Sequence, residues 1–206
     1  MPGRPYTNHD LARVLDTSDE WIRQRTGISQ RHFAGPGQGP ADLALPAAQR
    51  ALESAGLGPG DIDYILFNTM TPDHFFPGSA PLLATSLGCT GIPALDLRTQ
   101  CAAMLYAFQV ADSLLRTGTA KRILIVGAET HAALMPWDWE VLEGNTEKRP
   151  SPESWERAKP HRGWAIIFGD GAGALVVEKG REGTGVFAVD LQADGRYADQ
   201  LYVPVG

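Results

Sequence analysis

Ala94-Leu95-Asp96-Leu97-Arg98-Thr99-Gln100-Cys101-Ala102-Ala103-Met104-Leu105-Tyr106 carries a short apolar run of strand length into a helix-forming run, with a cysteine at the junction. A thiol placed there faces the unpartnered N–H groups and the positive dipole end of the helix that follows, and both favour thiolate over thiol. The helix runs from Ala102 to about Arg116, and over its first three turns it carries Ala102, Ala103, Met104, Leu105, Ala107, Phe108, Val110 and Ala111, interrupted only by Tyr106 and Gln109. With so little polar face it is expected to be buried on nearly every side and to aim Cys101 into an interior cavity. The competing reading is a small apolar residue packed at a strand end, since free cysteine is among the most buried residue types. Cys89 serves as the comparison: it lies in Leu87-Gly88-Cys89-Thr90-Gly91, a loop signal with no helix opening behind it, and reads as structural. The two cysteines match no zinc spacing and make no disulfide framework, which suits a reducing compartment.

Upstream, Tyr64-Ile65-Leu66-Phe67 is a continuous apolar run after the turn residues Gly58-Pro59-Gly60-Asp61, and downstream Ile123-Leu124-Ile125-Val126 is another. With helices expected over Pro77 to Leu87 and Ala102 to Arg116, the order is β-α-β-α-β. Runs without alternation predict an α/β fold with a mainly parallel sheet layered between helices. Before it, Asn8 can cap a short helix carrying Leu11, Val14 and Leu15, and Thr17-Ser18-Asp19-Glu20 has the form of a capping box opening a second helix to about Arg25, stopped at Gly27. Arg31 to Pro40 is a loop by composition, and Asp42 caps a helix to about Ala55, closed by Gly56. Thr130 to Arg162, with Trp137, Trp139 and Trp155, is a long loop whose tryptophans suggest a lid. Beyond it, Trp164 to Phe168 and Ala174 to Glu178 read as strands joined by a tight hairpin at Gly169-Asp170-Gly171-Ala172-Gly173, and Val186 to Leu191 as a third. That glycine run is not read as a phosphate loop, because strand rather than helix follows it.

A chain of 206 residues that is 43% hydrophobic and 20% charged has an ordinary globular composition. Its net charge of −6 argues against nucleic-acid binding, and no apolar run is long enough to cross a bilayer. Met1 to Tyr6 has no apolar leader core, so the expectation is a cytoplasmic protein. His9, His32, His74, His131 and His161 show no metal spacing, and each reads as a surface or loop histidine. Trp21 and Arg25 are four apart on one helix and share a face. They are either a core-edge tryptophan with a solvated arginine, or an aromatic plate and a cation suited to an adenine ring and a phosphate.

Taken together, Asp16-Thr17-Ser18-Asp19-Glu20-Trp21-Ile22 with Arg25-Thr26-Gly27-Ile28, the stretch Asp96 to Ala102, Leu124-Ile125-Val126-Gly127-Ala128-Glu129 and Ile167-Phe168-Gly169-Asp170-Gly171-Ala172-Gly173-Ala174 resemble the β-ketoacyl-acyl carrier protein synthase III branch of the thiolase-fold condensing enzymes. The resemblance implies half of a thiolase-like fold over residues 1–206, with a lid-like insertion at about 130–162. It implies that Cys101 accepts an acyl group from a thioester and that the acyl-enzyme condenses with a carbanion made by decarboxylating a malonyl thioester. By the same match Trp21 and Arg162 would hold the adenine of coenzyme A, a substrate rather than a bound cofactor, and Arg25 its phosphate-bearing portion. Phe76 would reach across a dimer two-fold to shape the partner's acyl pocket, the dimer forming through the strand Ala94 to Leu97. An acyl-coenzyme A or an acyl carrier protein is the implied partner.

The family's histidine and asparagine that assist decarboxylation, and a glycine N–H of its oxyanion hole, belong to its second half. A strand expected ahead of Pro5 is also lacking. Three readings follow. The chain is a piece of a larger condensing enzyme whose other half is on a separate chain or cleaved away; it transfers acyl groups to an alcohol, amine or carrier without condensation; or it is a noncatalytic scaffold.

Overall fold

The computed structural model describes residues 2–144, 149–181 and 183–202. Four strands form the main sheet in the order β4-β3-β5-β6: β3 (Tyr64–Asn68), β4 (Ala94–Leu97), β5 (Arg122–Glu129) and β6 (Gly171–Glu178). β4 and β5 both run parallel to β3, and β6 closes the other side antiparallel to β5. A mainly parallel sheet between helices is what the apolar runs predicted. On one face, α3 (Pro40–Ala55) and α4 (Ala80–Leu87) bury Ala44, Ala48, Leu52, Leu83 and Leu87 against Ile65, Phe67, Leu124 and Val126. On the other, α5 (Ala103–Arg116) lays Ala107 and Ala111 on Leu66, Ile123 and Ile125. Alternate residues of each strand thus feed opposite cores.

A separate core joins the N-terminal segment to the 130–168 region. β1 (Pro5–Thr7) and β2 (Gln30–His32) pair antiparallel, flanking α1 (Asn8–Leu11) and α2 (Asp19–Thr26). Tyr6, Leu11, Leu15, Ile22 and Phe33 pack there with Trp137, Leu142, Ala165 and Ile166. Buried Arg31 ties the parts together, donating to Asn8 Oδ1 at 2.8 Å and to the Ile166 carbonyl at 3.0 Å; burial lowers its pKa to about 10.

Several local expectations are corrected. Thr7, not Asn8, caps α1, in a reciprocal pair with Asp10, while Asn8 is buried and donates to Asp19. Gly39 is the cap of α3, and Asp42 sits at its third position, accepting from the Gly39 N–H at 2.9 Å. Gln30–His32, within what read as approach and loop, is strand. Thr130 to Arg162 is not one structureless loop: it contains α6 (Trp139–Glu143) and α7 (Pro152–Ala158), with 145–148 outside the described residues. Trp164 to Phe168 is not a strand, because α8 (Arg162–Ala165) occupies its start, and 169–173 is therefore no hairpin. Gly169 instead passes so close to β2 that a Cβ there would lie 2.8 Å from the Arg31 Cβ. Val186 to Leu191 has no partner strand and is irregular, with Phe187 exposed. No helix among the described residues is long and apolar enough to cross a membrane.

Candidate active site

Cys101 lies in a single 3-10 turn, Gln100–Ala102, wedged between β4 and α5. Gln100 is the one non-glycine residue among those described with a positive φ, +48°, a conformation that costs roughly 1–3 kcal/mol. That strained residue stands immediately before the thiol. Two expectations change here. Cys101 is exposed rather than enclosed, and α5 buries only the alanine row Ala103, Ala107 and Ala111, leaving Leu105 half in solvent. The small side chains let α5 approach the sheet on that row, while Met104, Phe108, Val110 and Leu114 are only partly buried. Cys89, by contrast, is buried, its thiol 3.4 Å from the Pro59 carbonyl, and burial pushes its pKa up.

Cys101 opens onto a cleft of about 410 Å³ lined by Asn68, Met104, Gly127, Glu129, His131, Phe168 and Gly173 among others. Strand register builds its floor: Asn68 of β3 stands opposite Gly127 of β5, which stands opposite Gly173 of β6. These positions share the α5 face of the sheet. A Cβ at Gly173 would meet nothing within 4 Å, and one at Gly127 only the Met104 methyl at 4.0 Å, so the glycine pair is what leaves the space. Glu129 uses its carboxylate on the turn beyond β3, accepting from the Met70 N–H at 2.9 Å and the Thr71 hydroxyl at 2.6 Å. His131 is a loop histidine, as expected, but not a surface one. It is buried, stacked on Phe168 at 4.7 Å between centroids, and Asp170 accepts from its backbone N–H. Sequence reading misses Asn68 and His131 as site residues; the available signal is a polar residue closing β3 and another just beyond the end of β5.

A second constellation forms around Trp21. The Arg25 guanidinium lies 4.2 Å and the Arg162 guanidinium 4.3 Å from the centre of its ring. Ser18 caps α2 through the Trp21 N–H, and Arg162 donates to the Asp16 carbonyl at 2.9 Å, which carries α8 to the start of α2. The three residues assigned by resemblance are therefore together, but none of them lines the cleft at Cys101. Phe76 stands apart from both groups, 87% exposed beside exposed Phe75. Its loop is anchored where Asp96 of β4 accepts from the Ser79 N–H at 2.8 Å and the Ala80 N–H at 3.2 Å; burial raises the Asp96 pKa despite those donors.

An α/β half-layer with a cysteine at the β4–α5 junction above a glycine-floored cleft defines a protein of the thiolase-like class. Residues 95–148 and 153–195 match the family described as 3-Oxoacyl-[acyl-carrier-protein (ACP)] synthase III. The β-ketoacyl-[acyl-carrier-protein] synthase III of Erythrobacter litoralis is 42% identical over 209 residues, covering all of this chain and 58% of that protein. The crystal structure of 3-oxoacyl-(acyl carrier protein) synthase III from Pseudomonas aeruginosa PAO1 superposes with a TM-score of 0.83 at 36% identity, over 100% of this chain and 58% of that one. The Thermus thermophilus enzyme gives 0.80 at 36%, over 99% and 56%. Over its whole length the chain is similar to β-ketoacyl-acyl carrier protein synthase III-like enzymes of the thiolase superfamily, and it spans 58% of the length of the curated relative quoted.

Proposed function

We propose that this chain carries the acyl-accepting half of a β-ketoacyl synthase III-type condensation, with Cys101 as nucleophile. The Cys101 thiolate attacks the carbonyl carbon of an acyl thioester; the new C–S bond forms as the old one breaks, and the donor thiol leaves with the proton that Cys101 gave up. Decarboxylation of a malonyl thioester then releases CO2 and leaves a carbanion that attacks the acyl-cysteine, freeing the Cys101 thiolate. Covalent division of this kind replaces one difficult step by two easier ones. The observation that carries the reading is the exposed Cys101, set by the strained Gln100 turn above a cleft of acyl dimensions.

The donor is read as a coenzyme A or carrier-protein thioester; the names of the relatives speak of the acyl carrier protein. Trp21 would stack the adenine, with Arg162 moving aside to cover it and Arg25 meeting phosphate oxygens; the ring and both cations are already assembled. The second half-reaction needs groups that polarise the malonyl carbonyl, which the resemblance places in the part of the relatives that this chain does not span. A dimer through the free edge of β4 would lay Phe75, Phe76, Leu95 and Leu105, all exposed here, against a second copy.

Incubation with acetyl-coenzyme A followed by intact-mass and peptide mapping tests the reading. A 42 Da adduct (~42, one acetyl group in place of a proton) on Cys101, absent in Cys101→Ala, is the expected result. An adduct that follows Cys89, or none at all, overturns it.

A further inference from the structure

The cleft under Cys101 is unfinished in a specific way. Asn68 and His131 both line it, and they are only 4% and 6% exposed. The Asn68 amide nitrogen is committed to the Val126 carbonyl at 2.8 Å, which leaves Oδ1 with no partner. Neither ring nitrogen of His131 has a partner, although the ring itself is fixed against Phe168. Buried polar atoms left unbonded are rare and each is costly, so orphans from two separate strand ends at one cleft mark a place completed by something that enters it.

Resting on the reading that Cys101 is acylated, we propose that this cleft selects an acyl group bearing a neutral hydroxyl, held between Asn68 and His131. The chemistry fits on both sides. An amide oxygen accepts, a neutral imidazole offers one donor and one acceptor, and a hydroxyl supplies one donor and two lone pairs. An ionised acyl terminus is disfavoured: the Glu129 carboxylate lines the same cleft, and among the described residues the lining contains no lysine or arginine. The rest of the wall, with Met70, Ala103, Met104 and Phe168, suits the hydrocarbon part. The orphaned atoms lie in the wall of the cleft, whose lining also includes Gly127 and Gly173.

The test compares single-turnover acylation of Cys101 by butyryl-coenzyme A with acylation by 3-hydroxybutyryl- and 4-hydroxybutyryl-coenzyme A, read as released thiol and acyl-enzyme mass. Wild type should take the better hydroxyacyl donor about tenfold faster than butyryl, the scale set by leaving buried polar groups unsatisfied. His131→Leu and Asn68→Leu should bring that ratio to one or below, and His131→Gln, which keeps a donor and an acceptor, should hold it above one. A wild-type ratio of one, as expected of a cleft satisfied by water alone, overturns the proposal without touching the acylation reading. So does a ratio that survives both leucine substitutions. Failure of every donor to label Cys101 removes the acylation reading and this proposal with it.

Discussion

The Arg162 guanidinium rests 4.3 Å from the centre of the Trp21 ring, although the two residues come from opposite ends of the chain's described core. The contact exists because Arg162 opens α8 and donates to the Asp16 carbonyl, just ahead of the Ser18 cap of α2. A cation held against an indole is worth about 0.5–2 kcal/mol, and an adenine entering between them exchanges that contact for two flat ones. Trp21→Ala removes the plate altogether. Coenzyme A binding should weaken by about tenfold or more in that variant, measured by calorimetry, and less in Arg162→Ala, where one partner of the stack remains. Equal affinity in wild type and Trp21→Ala would assign the cluster to packing.

Gln100 holds φ +48° directly before Cys101, the proposed nucleophile. Glycine adopts that conformation without a Cβ penalty but adds freedom to the unfolded chain, so Gln100→Gly should change stability by less than about 1 kcal/mol. Gln100→Val, β-branched in the left-handed region, should lose about 1–3 kcal/mol in a denaturant melt. Acylation separates geometry from stability: the looser glycine turn should slow labelling of Cys101 by on the order of tenfold while the protein remains folded. An unchanged rate would mean that α5 alone positions the thiol.

Asp170 is a buried carboxylate whose oxygens accept from the Ala34 N–H at 2.7 Å and from the His131 N–H, joining the loop after β2 to the end of β5. Burial raises its pKa above the ordinary 3.8, the backbone donors opposing without prevailing. A raised carboxylate pKa means that the folded state holds the proton to higher pH than the unfolded chain does. This residue's contribution to stability therefore falls as pH rises from about 3.8 through the folded value. Asp170→Asn lacks that titration and turns an N–H donor toward a backbone donor, for a loss of about 1–3 kcal/mol. Urea melts across the acid range should show wild type gaining on the variant as pH falls through this window; a gap that widens toward neutral pH contradicts the sign.

The layered core was legible because Tyr64 to Phe67 and Ile123 to Val126 are apolar without interruption, which leaves a doubly covered strand as the simplest reading. The same reasoning misread Trp164 to Phe168. Only one side of that run meets a core: Ile166 is buried, while Ile167 is 47% exposed. Its hydrogen-bonding edge faces β2 rather than a sheet, with the Ile166 carbonyl taken by Arg31 and the Asp170 N–H by the His32 carbonyl. β1 and β2 were invisible because three-residue strands carry no period. The thiol was legible from its place at a strand-to-helix junction. The cleft was not, since Asn68, Gly127, His131 and Gly173 meet only through sheet register.

Register also sets the last expectation. Gly173 lies two residues before Leu175, which packs toward α5, and so its missing side chain would point the same way, into space where a Cβ meets nothing within 4 Å. A valine there faces no clash on folding and relieves a glycine in a strand interior, so Gly173→Val should match or exceed wild-type stability by up to about 1 kcal/mol. Its two methyls, however, would fill the floor opposite Gly127. Transfer from acetyl-coenzyme A to Cys101 should then stay within a few-fold of wild type, while transfer from octanoyl-coenzyme A drops by about 10²-fold, because a close-packed site cannot absorb the added volume cheaply. Competition between the two donors in one tube, read by the mass of the acyl-enzyme, makes the comparison independent of protein concentration. If octanoyl transfer is undiminished in this variant, the acyl chain leaves Cys101 in another direction, and the glycine pair serves only the approach of α5 to the sheet.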